Sequence, residues 1–278
     1  GFVQAISHSL RDKHPLDADG ERCGPRNPGS PETAWLRNSL LPSLAEAARR
    51  NGSRDVHLFE IGKVFAGDGV ENLSFAALSE GNLSAPHWKN ADTSRADFFS
   101  LKAEVGAALA SAGFANLRFE SSNDRRLHPT RQAKVFSGDI PCGVIGQIHP
   151  DIASDCGLSP ETVVCELGLE SLFASGVEVP HYQILSRNPA VRRDIAIAIN
   201  KDVPYSKIEN AVEASGGNVL ERHWLFDVYD GKGVAEGQQS LAIALQLRKL
   251  GENLTDEEAN QVRDRVVAAL VELGATQR

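Results

Sequence analysis

The segment Arg193–Asn200 reads Arg-Asp-Ile-Ala-Ile-Ala-Ile-Asn, with Ile195, Ile197 and Ile199 alternating against Ala196 and Ala198. Successive side chains of a strand point to opposite faces, so this is a strand with one apolar face. Pro204 then opens a helix carrying Ile208, Ala211 and Val212 on one side, closed at Gly216-Gly217. VLERHWLFDVYD is a second strand, DGKGVAEGQ a turn, and SLAIALQLR a third strand burying Leu241, Ile243, Leu245 and Leu247. Thr255-Asp256-Glu257-Glu258 is a capping box. It opens a helix with Ala259, Val262, Val266, Leu270 and Leu273 on one face, stopped by Gly274. The tail ATQR supplies a short fourth strand. The order βαββαβ is the ferredoxin-like pattern.

The rest of the chain is less regular. SPETAWLRNSLLPSLAEAARRNG predicts a helix from Ser30-Pro31 to Asn51-Gly52. DVHLFEIGKVF and LSFAALSEG predict strands, and DFFSLKAEVGAALASAGF a helix ended by Gly113. AKVFSGDIPCGVIGQI predicts a hairpin turning at Gly138-Asp139, HPDIASDCGL a short helix at Pro150, and TVVCELGLESL a final strand. Helices interspersed with such strands predict an α+β fold with a largely antiparallel sheet. ASGVEVPHYQILS, Ala174 to Ser186, is read as the linker, which predicts domains over 1–176 and 187–278.

Composition narrows the class. A chain of 278 residues with 41% hydrophobic and 24% charged residues suits about two globular domains. No apolar run reaches the ~20 residues of a membrane-spanning helix, and the N-terminus has no signal-peptide core. A cytoplasmic protein with no membrane partner is expected. The chain has no Met and opens on Gly1, which reads as a piece of something longer. Its four cysteines form no CxxC pair and no zinc ligand set; Cys165 sits in an apolar run and is read as core. His128-Pro129 and His149-Pro150 are read as turn and helix entry, so no metal site is expected. The net charge of -8 means any nucleic-acid contact must be local.

Several runs carry a family resemblance. NPAVRRDIAIAI, WLFDVYDGKGVAEGQQSLAIALQL and NLTDEEANQVRDRVVAAL resemble the anticodon-binding domain of bacterial phenylalanyl-tRNA synthetase beta chains. GFVQAISHSL, WLRNSLLPSL, VHLFEIGKVF, DFFSLKAEV, LHPTRQAKVF, VIGQIHPDIA and VVCELGLESL resemble the catalytic-like module of the same chains. Together the resemblance spans the whole chain. It implies a class II synthetase-like antiparallel sheet module, catalytically inactive, followed by a ferredoxin-like βαββαβ anticodon-binding domain. It also implies assembly with the alpha chain into a two-alpha, two-beta tetramer, and binding of tRNA(Phe). ATP and magnesium belong to the whole enzyme, with no cofactor in this chain. The family's editing and metal-binding domains would lie upstream of Gly1.

The residues agree with an inactive module. An ATP-activating class II site needs arginines on the phosphates, carried by F-R-x-E and G-x-G-x-G-x-x-R, and neither occurs; no catalytic residue is expected. That absence, and the beta-like WLRNSLLPSL, also argue against a single-chain mitochondrial-type synthetase. Gly231, Gly233 and Gly237 join two strands and not a strand to a helix, so they are a hairpin and no phosphate loop. Asp227 and Asp230 need no acid-base role, since Asp230 heads a tight turn. Tyr205 is read as packing.

By parity, Ala196, Ala198, Ala242, Ala244 and Gln246 form the face turned away from the helices, a flat surface that an RNA loop can approach. Packing on a neighbouring domain would use the same face. The central strands lack the aromatics of an RNA-recognition motif. Arg192, Arg193, Lys232 and Arg248 are the candidates for phosphate contact and Tyr229 for stacking. Arg193 has a competing role as a fold brace. Where the family tends to be basic, this chain has Asp230, Gln239 and Glu252-Asn253. That predicts RNA contact weaker and less salt-sensitive than the family pattern would give, and the acidic balance keeps open a pure assembly module that contacts the alpha chain.

Overall fold

The computed structural model describes the chain apart from Ser53, Arg54, Pro86, His87, residues 90–93, Pro180 and Gln183. It divides into two compact units, Gly1–Pro180 and His181–Arg278. Pro180 and Gln183 of the expected linker lie outside the described residues.

The first unit contains β1 (Val3–Gln4), β2 (Leu10–Arg11), β3 (Trp35–Leu36), α1 (Leu41–Asn51), β4 (Val56–Phe65), β5 (Glu71–Glu80) and α2 (Phe98–Ser111). It continues with β6 (Leu117–Ser121), β7 (Leu127–Ser137), β8 (Ile140–Ile148), α3 (Pro150–Cys156), β9 (Val163–Gly168) and α4 (Leu169–Ala174). Its seven-stranded sheet runs β1-β4-β5-β9-β8-β7-β6. β1 pairs parallel with β4, and the other neighbours are antiparallel. Period-2 alternation divides the core: Leu58, Ala76, Leu78 and Val164 join a cluster with Leu41 and Leu44 of α1 and Ala153 of α3. Ala77, Val163, Cys165 and Leu167 face the other way, with Leu101, Val105 and Leu109 of α2 and Leu172 of α4. Both faces of the sheet are therefore covered.

The helix expected over Ser30–Asn51 is a correction. Pro31–Thr33 is one 3-10 turn, Trp35–Leu36 is extended and pairs with β2, and the helix begins at Leu41. Two forces pull the segment straight. Leu36 and Arg37 donate their amides to Cys23 and Ser9 carbonyls at 2.8 and 2.9 Å. The Arg37 side chain is drawn into a buried ion pair with Glu60 at 2.7 Å. Pro42 sits in the first turn of the actual helix, where its missing N–H costs nothing. A second correction concerns TVVCELGLESL. Its strand ends at Gly168, and Leu169–Ala174 is helical, since Leu169 and Leu172 stand at helical spacing on the same core.

The second unit contains β10 (Val191–Asn200), α5 (Tyr205–Gly216), β11 (Leu220–Tyr229), β12 (Gln238–Leu247), α6 (Asp256–Glu272) and β13 (Thr276–Gln277). Its sheet runs β11-β12-β10-β13, with every pairing antiparallel. This is the ferredoxin-like order read from the sequence. Ile195, Ile197, Ile199, Leu241, Ile243, Leu245 and Leu247 are buried against Ile208 and Val212 of α5 and Val262, Val266 and Leu270 of α6. Each such side chain taken from water contributes roughly 1.5–3 kcal/mol before chain entropy is charged against it. The capping box at Thr255 is present: the Glu258 amide donates to Thr255 Oγ1 at 3.2 Å, and the Thr255 amide donates to Glu258 Oε2 at 3.0 Å. Both helices lie on one side of this sheet, leaving the other side as the candidate surface.

Candidate nucleic-acid interface

Strand parity and register build this surface in four rows across β10, β12 and β11. They are Arg192–Gln246–Arg222, Asp194–Ala244–Trp224, Ala196–Ala242–Asp227 and Ala198–Ser240–Tyr229. β11 keeps the same residues outward only because it is bulged twice, at Leu220/Arg222 and at Leu225/Asp227. Each bulge adds a residue unopposed by β12. Phe226 is one of these, and it stands 47% exposed.

The flat floor is shorter than parity alone predicts. Ala196 is exposed and Ala242 and Gln246 are half-buried, but Ala198 and Ala244 are buried, Ala244 completely. Ala198 also pairs with Thr276 of β13. Above Ala244, Arg192 reaches across β12 until its guanidinium lies 5.2 Å from the Trp224 ring centroid and 5.4 Å from that of Phe226. Arg222 lies 4.5 Å from the same Trp224 centroid. Sequence reading missed Arg222, Trp224 and Phe226, because it looked for aromatics on the central strands and these are on the outer one. The signal was the x-W-x-F alternation of β11, but aligning it with Arg192 requires the bulges.

The five residues expected from the sequence fall in different places. Arg192 and Tyr229 share the open face. Arg193 lies on the helix side: its Nε donates to Asn260 Oδ1 at 2.9 Å and its Nη2 pairs with Asp256 Oδ1 at 2.5 Å, tying β10 to α6. Arg248 pairs through Nε with Glu221 Oε1 at 3.0 Å and donates Nη1 to the Asn188 carbonyl at 2.9 Å. The Gln246 amide and Arg248 together hold the Glu221 carboxyl below its usual range. Lys232 is exposed between β11 and β12, with no ion-pair partner among the described residues. Its carbonyl accepts the Tyr229 hydroxyl at 3.2 Å.

The glycines between β11 and β12 serve the tyrosine and the turn. A Cβ on Gly231 would come within 2.6 Å of Tyr229 Oη, so that position must be bare for the ring to lie there. Gly233 and Gly237 have φ of +94° and +79°, which a side chain would strain. Asp230 pairs with Lys201 at 2.7 Å, whose hydrogen bond and charge hold its carboxyl below the usual range.

In the first unit two of the buried arginines, Arg37 and Arg126, are already engaged by carboxylates. Arg37 meets Glu60 Oε1 at 2.7 Å, and Arg126 meets Glu166 Oε2 at 3.2 Å and Asp124 Oδ2 at 2.8 Å. Burial opposes the charge on Arg126, but Asp124 and Glu166 outweigh it and raise the pKa. Glu166 also accepts the Ser39 hydroxyl and the Leu40 amide at 2.8 and 2.6 Å. Guanidinium groups satisfied by carboxylates do not fit a triphosphate. Among the described residues no group of three His, Cys, Asp or Glu could hold a metal ion. His149 instead caps α3, accepting the Asp151 amide. No helix among the described residues is long and apolar enough to cross a membrane.

A ferredoxin-like domain with an open, partly aromatic sheet face is a form suited to nucleic-acid recognition, and residues 186–278 match the family model described as "Ferredoxin-fold anticodon binding domain". Residues 1–169 match "Phenylalanyl tRNA synthetase beta chain CLM domain". The chain belongs to the phenylalanyl-tRNA synthetase beta-chain family. It is similar to the phenylalanine–tRNA ligase beta subunit of Symbiobacterium thermophilum, with 36% identity covering 100% of this chain and 33% of that protein. The beta subunits of Methylococcus capsulatus and Staphylococcus saprophyticus are 33% and 34% identical, over 97% and 100% of this chain and 35% and 36% of theirs. The chain spans about a third of the length of the curated relatives it matches. Among solved structures, pyrrolysyl-tRNA synthetase from Desulfitobacterium hafniense aligns at TM-score 0.47 and 16% identity over 64% of each chain, too loosely to argue from.

Proposed function

We propose that this chain works as the C-terminal region of a phenylalanine–tRNA ligase beta subunit, binding the anticodon arm of tRNA(Phe) through the second unit. Residues 1–176, within the first unit, are read as catalytically inactive and as the part that assembles with the alpha chain. ATP, magnesium and the chemistry then belong to that partner, in a cytoplasmic two-alpha, two-beta enzyme. One observation carries the RNA reading: Tyr229, 45% exposed, stands at the edge of a sheet face whose neighbouring side chains are Ser240 and the small Ala196 and Ala242. A base can stack on the ring while the loop backbone approaches the sheet. The test is fluorescence anisotropy of a labelled tRNA(Phe) anticodon-arm hairpin titrated with the chain. Binding weakened about tenfold by Tyr229→Ala supports the reading. Equal binding by both proteins rejects it.

A second reading, an assembly module with little RNA contact, draws on specific pairings. The net charge is -8, and Arg193 and Arg248 are both consumed within the fold. It predicts capture of the alpha chain with no shift of the hairpin at all.

A further inference from the structure

Arg192 is not offered to solvent as a free phosphate ligand. Its Nε donates to Asp194 Oδ1 at 2.8 Å, so one edge of the guanidinium is fixed and a carboxylate already stands beside the cation. A phosphate approaching that edge would meet Asp194. The guanidinium carbon also lies over the Trp224 and Phe226 rings, 5.2 and 5.4 Å from their centroids, with Arg222 4.5 Å from the same Trp224 centroid. Arg192 pairs with Gln246 and Trp224 with Ala244, so the reach runs diagonally across β12, past Ala244, which is 0% exposed and adds no bulk. The Arg192 side chain is nevertheless 53% exposed. A planar cation pinned at one edge and backed by two rings loses little freedom when a flat partner covers its outer side.

We propose that the outer plane of Arg192, backed by Trp224 and Phe226, is a stacking platform for one unpaired RNA base, separate from the base at Tyr229. Unpaired bases stack on guanidinium planes as well as on aromatic rings. The two platforms are opposite Ala244 and Ser240, four residues apart on β12 and so roughly 13 Å at ~3.4 Å per residue. They therefore take different bases of one loop. This rests on the open face being the RNA surface, and the test separates the two claims.

The 278-residue chain is titrated into a fluorescein-labelled tRNA(Phe) anticodon-arm hairpin over a sodium chloride series. Wild type is compared with Arg192→Lys, Arg192→Ala, Trp224→Leu and Tyr229→Ala, each checked by circular dichroism. Lysine keeps the charge but has no plane, so Arg192→Lys weakens binding about tenfold with an unchanged salt slope. Trp224→Leu, which removes the backing, gives a similar loss. If Arg192→Lys binds like wild type while Arg192→Ala flattens the log–log slope by ~0.7, Arg192 is a phosphate contact and the platform is wrong. If neither Arg192 variant matters but Tyr229→Ala weakens binding, the open face stands and the platform falls. If none of the variants matters, or wild type does not bind, both fall.

Discussion

Arg37→Met tests what straightens the segment before α1. The Arg37 and Glu60 side chains are 4% and 3% exposed and 2.7 Å apart. Arg37 also donates Nε to the Lys63 carbonyl at 2.7 Å and Nη1 to Ser7 Oγ at 2.8 Å, and Ser7 in turn donates to Glu60 Oε2 at 2.7 Å. Methionine fills much of the volume but leaves a buried carboxylate with only Ser7 for company. Breaking a buried pair from one side costs ~3–5 kcal/mol, while replacing both partners with apolar groups is close to neutral. Arg37→Met alone is therefore expected to lower the urea midpoint of this unit by about 1.5–2.5 M at m ≈ 2 kcal/mol/M, and adding Glu60→Leu to restore most of it. Trp35 reports the transition if Trp88 and Trp224, the other two of the three tryptophans, are changed to Phe. A midpoint drop below about 0.5 M, or no recovery in the double variant, would refute the claim that this pair holds the segment extended.

Three further outcomes are expected. In a tRNA affinity series against salt, Lys232→Ala flattens the log–log slope by about 0.7–0.9, and Asp230→Arg steepens it, partly by releasing Lys201 from the pair it makes at 2.7 Å; no change in either variant would place the β11–β12 hairpin off the RNA backbone. The Lys249 hydrogen bond, then the Thr255 amide, pull Glu258 from 4.5 to about 2, so its stabilising effect is complete above the ordinary value and fades as pH falls towards the lower one. The stability gap between wild type and Glu258→Gln in urea melts should accordingly shrink between those two pH values, and a constant gap contradicts the assignment. A shortened chain beginning at Tyr182 should give the circular dichroism of a folded α+β domain, in keeping with the expected boundary; an unfolded spectrum while the full chain is folded would move it.

The second unit was legible because its signals are local and agree with one another. The alternation in RDIAIAIN and SLAIALQLR, the Thr255 box and the stops at Gly217 and Gly274 each specify an element without reference to the others. The first unit was less so. Leu36, Leu40, Leu41 and Leu44 mimic a helical stripe, yet the segment through Arg37 is held straight by Glu60, a partner far along the chain that no local pattern announces. β6 was missed for lack of periodicity in a piece of five residues, and α4, of six, was read as the end of the strand before it. At the candidate surface, parity identified the face, but it did not show that Ala198 and Ala244 are buried within it. It could not show that Arg192 reaches across β12 to the Trp224 ring, because that depends on two bulges in β11 and on side-chain reach.

The central claim is that the second unit holds the anticodon arm, and hydroxyl-radical footprinting of tRNA(Phe) with this chain, with and without the alpha chain, tests it most directly. The chain alone should protect nucleotides of the anticodon loop, and adding the alpha chain should extend protection elsewhere while leaving that footprint in place. Protection that appears only with the alpha chain and never includes the anticodon loop would contradict the claim and leave this chain as an assembly module.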